Sequence, residues 1–143
     1  MTALGFKRRF VNPILEGAKG GTIRADRKDG RLPPIGGELQ LYTAMRTVHC
    51  ALIMRTPCIG VLAIKLHFVG RTRIVAGGKV WRGAKALDSF ARFDGFGDFA
   101  DMAAFWRETH DKKEFAGNWI KWLRPASRVT MGATVTATEA QAA

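Results

Sequence analysis

Cysteine, histidine and acidic residues are all scarce in this chain, and each shortage removes a class of explanation. Two cysteines among 143 residues cannot staple a small secreted scaffold, which normally depends on several bridges. Cys50, Cys58 and the three histidines do not fall at the close spacings of a zinc site, so no metal and no cofactor is expected. Both cysteines are expected on sheet strands, as small apolar residues. The longest apolar run, residues 58–64, is of strand length and well below the ~20 residues of a membrane span. Lys7-Arg8-Arg9 is followed by mixed polar sequence and not by an apolar stretch. No secretory leader is therefore expected, and the expected setting is cytoplasmic, with no membrane partner.

Acidic residues number 12 against 23 Lys and Arg, for a net charge of +11. The excess is unevenly placed: the first 85 residues hold 16 Lys and Arg against four Asp and Glu, and the remainder is close to neutral. A basic field confined to one part of a chain is the electrostatic footprint of a nucleic-acid binder, although an inert basic surface has the same composition. Hydrophobic residues at 47% and aromatics at 10% allow one globular domain with a real core. That domain is expected over residues 1–124, with the Ala-, Thr- and Ser-rich residues 125–143 as a flexible tail.

What the chain does have is the loop Gly17-Ala18-Lys19-Gly20-Gly21-Thr22-Ile23-Arg24. Its three glycines permit positive φ and close approach of a ligand. A cation, a hydroxyl and a guanidinium are gathered around exposed amides, which suits an anionic or highly polar ligand. Lys19, Gly20, Gly21 and Arg24 are the candidate ligand-binding residues, joined by Arg27 and Lys28 of the following polar loop. A tight helix-to-strand turn with solvated charges is the plain alternative.

The surrounding pattern predicts the elements. Residues 1–7 form a first strand, and Phe10, Val11, Ile14 and Leu15 mark one stripe of a helix over residues 8–16. Asn12 before Pro13 could alternatively cap a shorter helix. Gly17 stops it. Residues 26–37 read as a loop closed by Pro33-Pro34-Ile35-Gly36-Gly37, and Glu38 to Tyr42 as a half-buried strand. Residues 48–54 and 59–69 read as two strands punctuated by Thr56-Pro57. Gly77-Gly78 joins residues 72–76 and 79–81 in a hairpin. Asp98 is expected to cap a helix carrying Phe99, Met102, Ala103 and Trp106. Lys112-Lys113-Glu114 is expected as a turn, before a closing strand over residues 115–123. Consecutive strands with tight turns point to a small mixed barrel and not to a parallel α/β sheet.

In this order the features resemble the ASCH family of the PUA-like superfamily. The carriers are a strand, a short helix and GAKGGTIR, then ELQLYT after a Gly-Gly turn, and later Asp94-Gly95-Phe96 and Phe115…Trp119-Ile120-Lys121-Trp122. The resemblance implies an α+β fold: a small, mainly antiparallel β-barrel with two or three flanking helices and a cleft beside the helix–strand loop. It also implies binding of RNA or a nucleotide-type ligand. One branch of the family hydrolyses the acetyl amide of acetylated cytidine, and some members are reported to cleave RNA. By that likeness the catalytic groups here would be Lys19, Thr22 and Asp94, with Asp94 standing where that branch carries a glutamate.

In physical terms, Lys19 could act as a base if desolvation lowers its pKa, or stay charged and hold an oxyanion. Thr22 could act as a nucleophile only with a base in contact. Arg24 could grip a phosphate bidentately. A structural Lys19–Asp94 ion pair, or a non-catalytic domain that binds another protein, are the alternatives.

Overall fold

Apolar residues alternating with exposed ones give strand β1 (Thr2–Phe6), with Leu4 and Phe6 buried. The computed structural model describes residues 1–110 and 113–125; the expected tail beyond residue 125 and Lys112 of the expected turn lie outside the described residues. A 3-10 turn (Arg8–Phe10) runs directly into helix α1 (Val11–Glu16). Asn12 is thus inside the helix and not its cap. Pro13 occupies the first turn, where its missing N–H is no loss. Gly17 ends the helix in the left-handed conformation at φ 84°, as its position predicts.

Strands β2 (Gly21–Arg24) and β3 (Glu38–Thr43) follow, then β4 (Ala51–His67). The expectation of two strands split at Pro57 is corrected here, because β4 is one strand of 17 residues. Its first half pairs antiparallel with β3 as far as Pro57, and from Cys58 onward it pairs with the last strand, β7 (Glu114–Trp122). Pro57 sits at the handover. A residue without an N–H is tolerated where one ladder ends and the next begins. Cys58 is buried on β4, whereas Cys50 is exposed in the turn before it and not on a strand.

Beyond β4, strands β5 (Arg73–Ala76) and β6 (Lys79–Trp81) form the hairpin over Gly77-Gly78. Helix α2 (Ala84–Phe93) is not among the elements expected above. It buries Leu87, Phe90 and Ala91 at helical spacing, but it has no side-chain cap at its start. Helix α3 (Phe99–His110) does have one: Asp98 Oδ1 accepts the Asp101 N–H at 2.8 Å. The Asp88 carboxylate, on α2, accepts the Phe99 N–H at 2.9 Å and ties the two helices at their junction.

The strands make one mixed, mainly antiparallel sheet in the order β1-β3-β4-β5-β6, with β7 joined to β4 and β2 joined to β7. Only β1 with β3 is parallel. Among the described residues, β1 and β2 are both edges and no ladder closes them. Leu39, Leu41, Ile64, Leu66 and Ile74 of the sheet and Leu87, Phe90, Met102 and Trp106 of the helices share one core. Among the described residues no helix is long and apolar enough to cross a membrane.

Replacing Asp98 by Ala removes the acceptor at the start of α3 and should cost about 1 kcal/mol of stability. Asp88→Ala should cost a similar amount by freeing the Phe99 N–H. Urea denaturation measures both, with an unchanged slope expected if only the folded state is affected.

Candidate functional site

The Lys19 side chain is 2% exposed although it sits in a loop. Its backbone explains how it is held: the Lys19 N–H donates to Pro13 O and the Gly20 N–H to Phe93 O, each at 3.0 Å, pinning the loop between α1 and the end of α2. The ammonium donates to the main-chain oxygen of Asp94 at 2.5 Å and lies 3.4 Å from Asp94 Oδ1. It also faces the rings of Phe10 at 4.7 Å and Phe6 at 5.7 Å. Asp94 is the last, half-in residue of α2, so Lys19 places a cation on the negative end of that helix.

The triplet Asp94-Gly95-Phe96 now has a mechanical reading. Gly95 at φ 96° donates its N–H to Arg92 O, and the Phe96 N–H reaches back to Ala91 O. These are the two bonds of a Schellman ending, which needs the left-handed residue that glycine supplies. A Cβ on Gly95 would lie 2.7 Å from Lys19 Cδ. The same glycine that stops α2 therefore makes room for the lysine.

Around this pair is a cavity of about 230 Å³ between the edges of β1 and β2. Lys19, Thr22, Arg24 and Asp94, with Lys7 and His110, supply its polar lining, and Phe6, Phe10, Phe96, Phe105, Trp106 and Phe115 its aromatic walls. The three residues suggested for catalysis are thus brought to one cavity. Thr22 Oγ1 accepts from Arg24 Nε at 3.3 Å, and Arg24 Nη2 donates to Gly5 O at 2.6 Å, so the guanidinium bridges the two strand edges. This restrains the free bidentate grip expected of Arg24.

Four expected binding residues are placed elsewhere. Gly20 and Gly21 do not line the cavity. The space a Cβ would take is filled at Gly20 by Phe93 and Arg124, and at Gly21 by Trp119 and Phe93. These glycines admit the protein's own aromatic rings and not a ligand. Arg27 and Lys28 are exposed away from the cavity, with Arg27 paired to Asp29 at 3.1 Å.

Sequence reasoning missed the cavity walls. Phe105 and His110 carry no signature of spacing, and Phe10 and Trp106 read as ordinary core. His110 ends α3, stacks on Trp106 at 4.3 Å and reaches the cavity. Arg9 lies over Phe96 at 4.9 Å and is paired with Asp101, covering the aromatic cluster from outside.

Burial dominates the acid–base behaviour of the pair. It pushes the Asp94 carboxyl up to about 6, against the opposing pull of Lys19 and Arg24. It also lowers Lys19, with Asp94 acting in the opposite direction. Arg24 is lowered by burial as well, again opposed by Asp94. A carboxyl raised towards neutrality beside a lysine lowered towards it can exchange a proton with a bound molecule, which an ordinary surface ion pair cannot do at pH 7.

Because the folded Asp94 titrates near 6 and the unfolded one near 3.8, the fold favours its protonated form. Its contribution to stability is complete below the lower value and is lost as pH rises through the upper one. Thermal melts of the wild type and of Asp94→Asn should therefore show the wild type losing ground from pH ~4 to ~6 and holding level above that. A wild type that instead gains over this range would mean that Lys19 stabilises the carboxylate more than burial opposes it.

No family model matches the chain, and neither a curated protein nor a solved structure matches it.

Proposed function

We propose that this protein is an ASCH-type, PUA-like domain that binds RNA or a nucleotide-type ligand, one base entering the cleft between β1 and β2. On this reading the mixed sheet is a small barrel whose seam is left open at those two strands. The observation that carries the proposal is the cavity of about 230 Å³ with aromatic walls and a buried Lys19–Asp94 pair in its lining. A flat heteroaromatic ring matches such walls, since stacking on aromatic side chains is worth ~1–3 kcal/mol per base. Convergent donors and acceptors then read the edge of the ring. The net charge of +11 adds attraction for a phosphate-bearing ligand.

Lys19→Met should weaken binding of cytidine monophosphate at least tenfold by calorimetry, because it removes a charge-assisted donor from the lining. Asp94→Asn, which keeps the shape, separates loss of charge from loss of fold. Equal affinity in wild type and Lys19→Met, with both folded, would sink the proposal.

A second reading, hydrolysis of an acetylated cytidine or of RNA, draws on the raised Asp94 and lowered Lys19 beside the Thr22 hydroxyl. Water attacks the acetyl carbon, the C–N bond breaks, and the paired groups return a proton to the leaving amine, yielding acetate and cytidine. Incubation with acetylated cytidine and with labelled RNA tests it. Product that appears with the wild type and is lost in Lys19→Met and Asp94→Asn, with a pH profile turning near 6, is the expected outcome.

A further inference from the structure

Outside the cleft, three cations lie over three aromatic rings that touch one another. Lys79 Nζ is 5.0 Å from the Trp81 ring, Lys121 Nζ is 4.7 Å from Trp119, and the Arg124 guanidinium is 5.1 Å from Phe93. Trp81 and Phe93 both meet Trp119 edge to face, at 5.7 and 5.8 Å. The rings therefore hold the three charged heads in one neighbourhood, and each cation rests on apolar area while keeping a solvated face.

Helix α2 extends this neighbourhood. Phe93 belongs to α2, and on that helix Lys85, Ser89 and Arg92 fall at i, i+4 and i+7, an exposed stripe next to Phe93. Arg82 precedes the helix and is also exposed. Among the described residues none of Lys79, Arg82, Lys85, Arg92, Lys121 or Arg124 makes an ion pair. Asp88 could have paired with Arg92 four residues on, but it is committed to the Phe99 N–H. These cations have no neutralising carboxylate among the described residues, and a polyanion would supply the missing negative charge.

We infer that this face, built on Trp81, Trp119 and Phe93, is a docking surface for the phosphate backbone of a nucleic acid, separate from the cleft. Trp119 is only 6% exposed and its ring is covered by Lys121, so the aromatics hold cations and do not stack on bases. The surface thus contacts phosphates at successive points and is indifferent to sequence. It shares a partner class with the cleft but none of its residues. The glycine-rich loop lies between them, with Lys19 in the cleft and Gly20 against Phe93 and Arg124 on the other side.

The test is the salt dependence of binding to a labelled 20-nucleotide RNA of mixed sequence. The comparison is wild type against a variant carrying Lys79→Gln, Arg82→Gln, Arg92→Gln and Lys121→Gln. Each lost phosphate contact should flatten the slope of log affinity against log salt by about 0.7, so a reduction of about 2–3 is expected. Cytidine monophosphate binding in the cleft should be unchanged in this variant, whereas Lys19→Met should remove it and leave the RNA slope intact. Lys85→Glu with Arg92→Glu, at exposed helix positions, provides the same comparison if the larger variant melts early. An unchanged slope in both variants would overturn the inference. So would an RNA affinity that depends on Lys19 alone, or tighter binding of anionic phospholipid vesicles than of RNA with the same loss in the variant.

Discussion

A lysine ammonium and an aspartate carboxyl buried among phenylalanine rings set a condition that several distant parts of the chain must meet together. Removing two charges from water costs several kcal/mol per ion unless they find each other and further hydrogen-bond partners. Lys19 meets this with the Asp94 carboxylate, the Asp94 main-chain oxygen and the faces of Phe6 and Phe10. None of these partners is local to the loop that carries the lysine. The loop must be tied to α1 and α2, α2 must end at Asp94, and β1 must bring Phe6 alongside. The ion pair is thus a geometric check on the fold as well as part of a cleft.

The glycine-rich loop serves two surfaces through one narrow backbone. On one side it inserts Lys19 into the cavity, and on the other its glycines let Phe93 and Trp119 approach the main chain. Side chains at Gly20 or Gly21 would push the aromatic layer away and shift the lysine with it. Close packing of this kind transmits small displacements without absorbing them. The division also separates the chemistry: a desolvated, aromatic-walled recess with titratable groups on one side, and solvated cations resting on rings on the other.

Much of the architecture was legible from local rules. Gly17 as a helix stop, Gly77-Gly78 as a hairpin and Asp98 as a cap each follow from backbone physics that operates within a few residues. The continuity of β4 was not legible, since a proline inside a strand pattern reads as a break. Only the change of pairing partner at Pro57, a long-range fact, makes it harmless. Helix α2 was missed although Leu87, Phe90 and Ala91 recur at i, i+3 and i+4, because Gly83 leaves its start without the side-chain cap that marks α3. At the site, residue identity singled out Lys19, Thr22 and Arg24 of the loop, and Asp94 came only from the family resemblance. The role of the glycines was misread because the sequence cannot say which neighbour fills the space a missing Cβ leaves. Phe96 and Phe115 stood in the segments that carry the resemblance, but nothing in the sequence marked them as cavity walls, since Phe6, Phe96, Phe105 and Phe115 meet only in three dimensions.

The open edge of β1 has a consequence for motion. Among the described residues this strand is laddered on one side only, in parallel pairing with β3, and across the cavity the Arg24 guanidinium holds it through Gly5 O. Like β2, it is a wall of the recess held by one ladder among the described residues, so its amides should open to solvent more readily than those of β4 or β7. A molecule lodged between the two edges would lean on both and close that route. Occupancy of the recess would then register as slowed amide exchange along the first strand, at positions the ligand never touches.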